Sequence, residues 1–189
     1  MLSPKSVIPE CYIDSNLFDV LLNFEKESVN HTKGNATVIT KMTAKFADKF
    51  CMGIIDKDRR DLKQIKDYFE PVDIEGVNEY FKLYQYKDKQ KHHYLIQMVP
   101  VIETWIWKVS MELDIKISDF ITNVTTIKEL KEVTKKVERK SDIRFKALFK
   151  EIIRQSVEKN FLPVLKLKRI IGLILEKNYQ TDINELING

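Results

Sequence analysis

The sequence predicts an α/β protein, an open and mainly parallel sheet with helices on both faces, followed by an α-helical C-terminal appendage. Three observations carry that reading. Between residues 8 and 116, short apolar runs rich in β-branched residues alternate with stretches of helical periodicity. The run Phe50-Cys51-Met52-Gly53-Ile54-Ile55 is apolar on both faces, as a central strand of a parallel sheet must be. From Pro100 onward the apolar spacing is helical throughout. The expected units are therefore an α/β domain over 8–116 and a helical region over 117–189 that packs on it.

Taken in order, Cys11-Tyr12-Ile13 reads as a first strand ending at Asp14. Ser15-Asn16 then starts a helix whose apolar side is Leu17, Val20, Leu21 and Phe24. A short extended piece from Ser28 to Thr32 reaches the turn signal Lys33-Gly34-Asn35, and Asn35 is expected to cap a second helix. Phe50 to Ile55 is the central strand, and it runs out into Asp56-Lys57-Asp58-Arg59-Arg60. A third helix places Leu62, Ile65 and Phe69 inward and closes at Pro71. Residues 80–86 and 93–99 have β-branched and aromatic strand composition around a charged turn. Pro100 marks a helix start, with Ile102, Trp105, Ile106 and Val109 on its buried side. Further helices are expected near 126–139, 142–159, 163–177 and 182–187.

A chain of 189 residues can build one good core or two small ones. Five Gly and five Pro exclude collagenous or linker-like sequence, and no apolar run nears the ~20 residues of a membrane-spanning helix. Met1-Leu2-Ser3-Pro4-Lys5 lacks the apolar core of a secretory signal, and two cysteines make no disulfide scaffold, so a soluble cytoplasmic protein is expected. Segment 128–177 holds 15 Lys/Arg against 7 Asp/Glu, whereas the remainder has 17 against 21. A basic tail beside an acidic front suits a protein whose tail meets a polyanion while its front holds cations. Solvated helix faces would give the same pattern.

In an open parallel sheet, functional groups gather past the carboxyl ends of the strands. On this reading Asp14, Asp56, Asp58 and Glu103 converge on one edge from distant parts of the chain. Asp56 and Asp58, two apart on an extended exit, can share a hard cation. Mg²⁺ (or Mn²⁺) needs only one or two protein carboxylates, with water and phosphate oxygens completing its shell. Such a site activates water and shields a phosphodiester under attack. Lys33, Lys57, Arg59, Arg60 and His31 are the candidate phosphate contacts on the same edge. On a helix, Lys128, Lys131, Lys135 and Arg139 fall on one stripe that could meet nucleic-acid phosphates.

The succession Cys11-Tyr12-Ile13-Asp14, helix, Lys33-Gly34-Asn35, helix, Gly53-Ile54-Ile55-Asp56-Lys57-Asp58 resembles the Toprim fold, the metal-binding module of topoisomerases, bacterial primases and OLD nucleases. Pro100-Val101-Ile102-Glu103-Thr104-Trp105 resembles the segment that supplies a further acid in the OLD-like branch. The resemblance covers roughly residues 8–110. It implies a metal site formed by Asp14, Asp56, Asp58 and Glu103 and a Mg²⁺-dependent nuclease or related phosphoryl-transfer activity. The family's first acid is normally Glu followed by Gly, where this chain has Asp14 and Ser15. OLD-type domains usually work with an ATPase, and this chain has no P-loop, so the resemblance implies a separate ATPase partner. A second resemblance, carried by Tyr12-Ile13-Asp14-Ser15-Asn16-Leu17-Phe18, is to the opening of PIN-domain ribonucleases. A third reading is a non-catalytic module of the same fold that binds a protein or nucleic acid.

Overall fold

The computed structural model of the chain describes residues 6–23, 29–57, 63–137 and 141–188. Asp58, Arg59, Arg60 and Arg139 lie outside the described residues. The protein is α/β, with a five-stranded mixed sheet between two layers of helices.

The first strand, β1, is Val7–Pro9, not residues 11–13. Val7 and Ile8 are fully buried, and Glu10 is the first residue beyond the strand. Cys11 instead caps α1 (Tyr12–Leu21): its Sγ accepts from Asp14 N at 3.3 Å, and Asp14 Oδ2 accepts from Cys11 N at 3.2 Å. This reciprocal box satisfies donors at the helix start and draws residues 12 and 13 into the helix. The helix thus begins four residues before Asn16, with a cysteine where Ser, Thr, Asp or Asn is the usual signal.

The extended piece after α1 is present. Asn30 N donates to Val7 O at 2.8 Å and Thr32 N to Pro9 O at 3.0 Å, so the segment runs alongside β1 in the same direction. Gly34, at φ +93°, then turns the chain into α2 (Asn35–Ala44). Gly34 is the cap and Asn35 the first helical residue, because the left-handed backbone at the cap favours glycine.

Strand β2 (Cys51–Asp56) lies between β1 and β5 (His93–Met98), parallel to both. Residues 69–72 are not the end of the third helix. That helix, α3, is Lys63–Tyr68, and Phe69–Val72 is strand β3, at the sheet edge where Pro71 costs no ladder bond. β4 (Phe81–Tyr86) pairs antiparallel with β3 and β5, giving the order β1-β2-β5-β4-β3 with four of five strands pointing the same way.

Alternation along β2 feeds two cores. Met52 and Ile54 join the larger cluster with α1 and α4 (Ile102–Glu112), while Cys51 and Ile55 face Val38, Ile39 and Met42 of α2. Gly53 sits on the α2 side, where a Cβ would meet Met42 Sδ and stand 2.9 Å from Val38 Cγ1 and Leu95 Cδ1. Glycine is what lets α2 approach the sheet. Trp105 is core, and Trp107 is half-buried against it.

The C-terminal helices are α5 (Ile127–Thr134), α6 (Ile143–Glu158), α7 (Leu162–Lys177) and α8 (Ile183–Asn188). α5 ends at Thr134, five residues before the expected boundary, with Lys135 at its cap. Phe145, Leu148, Ile152, Leu167 and Ile171 belong to the same cluster as Met52 and Ile96, so the helical region shares the sheet's core. Polar groups fix its seat on α1. Asp142 N donates to Asn16 Oδ1 at 2.7 Å, and Lys146 Nζ pairs with the fully buried Asp19 at 3.0 Å. Among the described residues no helix is long and apolar enough to cross a membrane.

Candidate functional site

The carboxyl ends of β1 and β2 and the first turn of α4 form one rim. Glu10 leaves β1, Asp56 ends β2, and Glu103 is the second residue of α4. Backbone and side chains lock the three together. Glu10 N donates to Ile54 O at 3.0 Å, and Asp56 N donates to Glu10 Oε2 at 3.1 Å. Asp56 Oδ1 accepts from Ile102 N at 2.8 Å, where a carboxylate is favoured by the exposed donors of a helix start. Glu103 Oε1 accepts from Thr134 Oγ1 at 2.9 Å, which ties α5 to the rim.

Asp14 lies behind this row. It does not leave a strand: it is in the first turn of α1 and is fully buried. Its Oδ2 serves the capping box, and its Oδ1 has no hydrogen-bond partner among the described residues. Burial first, then the charges of Glu10 and Glu103, hold the Asp14 carboxyl well above the usual carboxylate range, against the lowering hydrogen bonds from Cys11. Asp56 is pushed up more strongly by burial, then by Asp14, Glu10 and Glu103, against the lowering bond from Ile102 N. Among the described residues, the strongest charges acting on both carboxyls are those of neighbouring acids. The rim is a set of mutually repelling acids.

Of the expected site residues, the structure therefore brings Asp14, Asp56 and Glu103 together, with Asp14 as the inner group. It adds Glu10, which the sequence reading passed over. The signal for it was present: Val7-Ile8-Pro9 is a short apolar run ending in a residue that cannot continue a ladder. Cys11-Tyr12-Ile13 has the better strand composition and drew the assignment instead.

The candidate phosphate contacts separate. Lys57 is exposed directly after Asp56, its backbone N–H bonded to Met98 O at 3.0 Å. Lys33 is exposed just before the α2 start. His31 is half-buried and stacks on Tyr12, with ring centroids 4.2 Å apart and planes at 11°. Lys128, Lys131 and Lys135 are all exposed on or at the end of α5. His93, the first residue of β5, is buried against Tyr86, and His92 just before the strand meets Tyr179.

Among the described residues no three or more His, Cys, Asp or Glu side chains are grouped to hold a metal ion. A closed protein cage is therefore not formed by Asp14, Asp56 and Glu103. The donor set suits only the open kind of site, in which a hard cation takes one or two carboxylates and keeps its waters. Asp14 Oδ1 is buried and has no hydrogen-bond partner among the described residues, so a proton or a cation nearby would relieve it.

Compared with known proteins, the chain matches no family model, no curated protein and no solved structure.

Proposed function

We propose that this chain is a Toprim-like, metal-dependent phosphoryl-transfer protein that acts on the phosphodiesters of nucleic acid, in the manner of a nuclease. The single observation that carries the reading is the rim itself, where Glu10, Asp56 and Glu103 stand partly buried at one edge with Asp14 behind them. Placing Glu10 rather than Asp14 at the exit of the first strand also supports it, because a glutamate is what the Toprim pattern has there. Asp56, the first acid of the Asp-x-Asp sequence, ends β2, and Gly34 caps α2, which is compatible with that pattern.

In this reading Asp56 and Glu10, with Glu103 beside them, would hold Mg²⁺ or Mn²⁺. The ion, when bound, supplies charge to polarise a phosphoryl oxygen and to lower the pKa of water. The chain's own groups position and buffer. Ile102 N–H fixes the Asp56 carboxylate through Oδ1, Thr134 holds Glu103, and Lys57 offers a cation to an approaching phosphate. Asp14, its Oδ2 engaged by Cys11 N–H, has Oδ1 left as the oxygen that would take up a proton.

The competing reading is a non-catalytic module of the same fold. Its support is that Asp56 and Glu103 both have structural partners in Ile102 and Thr134. The PIN-like reading has less support, because Tyr12 to Phe18 lies wholly within α1 and Asn16 is spent on Asp142. Calorimetric titration of Mn²⁺ into wild type, Glu10→Gln and Asp56→Asn decides between the first two. The enzyme reading expects binding in wild type, weakened at least tenfold in each variant, with Mn²⁺-dependent cleavage of single-stranded or plasmid DNA or of RNA. Equal binding by all three proteins removes the metal site and leaves the module.

A further inference from the structure

We infer that α5 is the ledge along which a nucleic-acid backbone lies to reach the acidic rim, an inference that rests on the phosphodiester reading above. Four lysines, Lys128, Lys131, Lys135 and Lys136, are exposed on α5 and the turn after it. The helix has two acids, and they are not equivalent. Glu129 folds back over the helix start, where its Oε2 accepts from Thr125 N, Thr125 Oγ1 and Thr126 N at 2.8–3.0 Å. Its charge is thereby turned to the N-terminal donors and away from the lysines. Among the described residues of this segment Glu132 alone remains beside them, paired with Lys135 at 2.9 Å and drawn down by Lys135, Lys136 and Lys128. That pair is open to solvent on both sides, with side chains 68% and 57% exposed, and exposed pairs exchange readily for a phosphate.

The position of this face gives it its role. Leu130 and Thr134 are the buried side of α5, and Thr134 is the residue that bonds Glu103. At 100° per residue, Lys131, Lys135 and Lys128 lie about 60°, 100° and 120° round the helix from Thr134. The basic stripe thus borders the side that touches the rim, neither buried under it nor turned to the far side. From Lys128 to Lys135 the stripe rises about 10 Å, at ~1.5 Å per residue. Phosphates of one duplex strand advance ~3.4 Å along the axis, so about three of them can be met in succession. A repulsive row of carboxylates cannot attract a polyanion by itself. A cationic ledge beside it supplies that attraction.

The experiment is binding of a fluorescein-labelled 20-mer, single-stranded and duplex, to the full chain in EDTA over a salt series from 50 to 200 mM. EDTA separates this test from the metal reading: the ledge can fail while Mn²⁺ still binds the rim, and it can hold where no metal binds. Lys131→Glu with Lys135→Glu is expected to weaken binding at least tenfold and to lower the slope of log K against log salt by about two. Lys45→Glu with Lys49→Glu makes the same change of charge on exposed residues just before β2, at the opposite end of the sheet, and is expected to leave the slope as in wild type. Absence of binding by the wild type at 50 mM salt overturns the inference. So does equal weakening by the two charge-reversed pairs.

Discussion

Asp56 Oδ1 receives the backbone N–H of Ile102 at 2.8 Å, so the carboxylate that ends the second strand also caps the helix that follows the last one in the sheet. The bond sets the distance between two segments 46 residues apart and keeps one acid in place among three others. It also makes the rim pH-sensitive, since the bond favours the ionised form while burial and the neighbouring acids oppose it.

The first prediction follows from that opposition. Unfolded, Asp56 ionises near ~4, whereas the folded chain holds its proton to higher pH. The folded state therefore binds more protons above pH ~4, and this contribution to stability is lost as pH rises through neutrality and beyond. Asp56→Asn keeps the acceptor for Ile102 N–H without the charge. Its thermal midpoint should equal that of wild type near pH 4 and exceed it at pH 8 by about 2–4 °C, on the order of 1 kcal/mol for a chain of this size. A difference that stays constant from pH 4 to 8 would count against the raised carboxyl.

His93 should act in the opposite sense. Its Nε2 lies 2.9 Å from Phe46 O and 3.1 Å from Lys49 O, two groups that only accept, so the neutral ring carries its proton there. Burial lowers its pKa against those two bonds. A histidine of lowered pKa contributes stability that is complete above its unfolded value of ~6.5 and is lost as pH falls below it. In urea titrations, wild type should lose stability between pH 7 and 5 more steeply than His93→Gln, which retains a donor but does not titrate. Parallel curves would refute this.

Gly53 is required by the approach of α2. Alanine there presses on Met42, Val38 and Leu95, and overpacking of this kind costs about 1–3 kcal/mol. Chemical denaturation of Gly53→Ala measures it. Shortening Met42 to Val in the same chain should recover part of the loss, whereas strictly additive losses would place the strain elsewhere.

The seat of the helical region on α1 rests on Asp19 and Lys146. Lys146→Met withdraws the ammonium from a fully buried carboxylate, a change that costs about 3–5 kcal/mol in buried pairs. Asp19→Asn combined with Lys146→Met should be distinctly more stable than Lys146→Met alone. If the single variant melts with the wild type, the pair does not hold the two regions together.

The α/β class, a central strand at 50–55 (observed at 51–56), two strands near 81–86 and 93–98, and the helices after Pro100 were legible in sequence, because each rests on local periodicity, whereas the pairing of those two strands was not. Asp56 and Glu103 were legible as candidates for the same reason: a carboxylate after an apolar strand or at a helix start is a local pattern. The identity of the first acid was not. Glu10 and Asp14 lie four residues apart, and which one faces outward depends on where α1 begins. A cysteine-centred capping box and the backbone bonds of residues 30 and 32 to β1 settled that. The helical boundary at Pro71 failed for a similar reason, since only pairing with β4 makes residues 69–72 an edge strand. Sequence by itself determined the elements and their order, through side-chain period and turn chemistry. Tertiary structure alone decided which acids share an edge, how deeply each is buried and what holds it, because burial and hydrogen-bond partners come from residues tens of positions away.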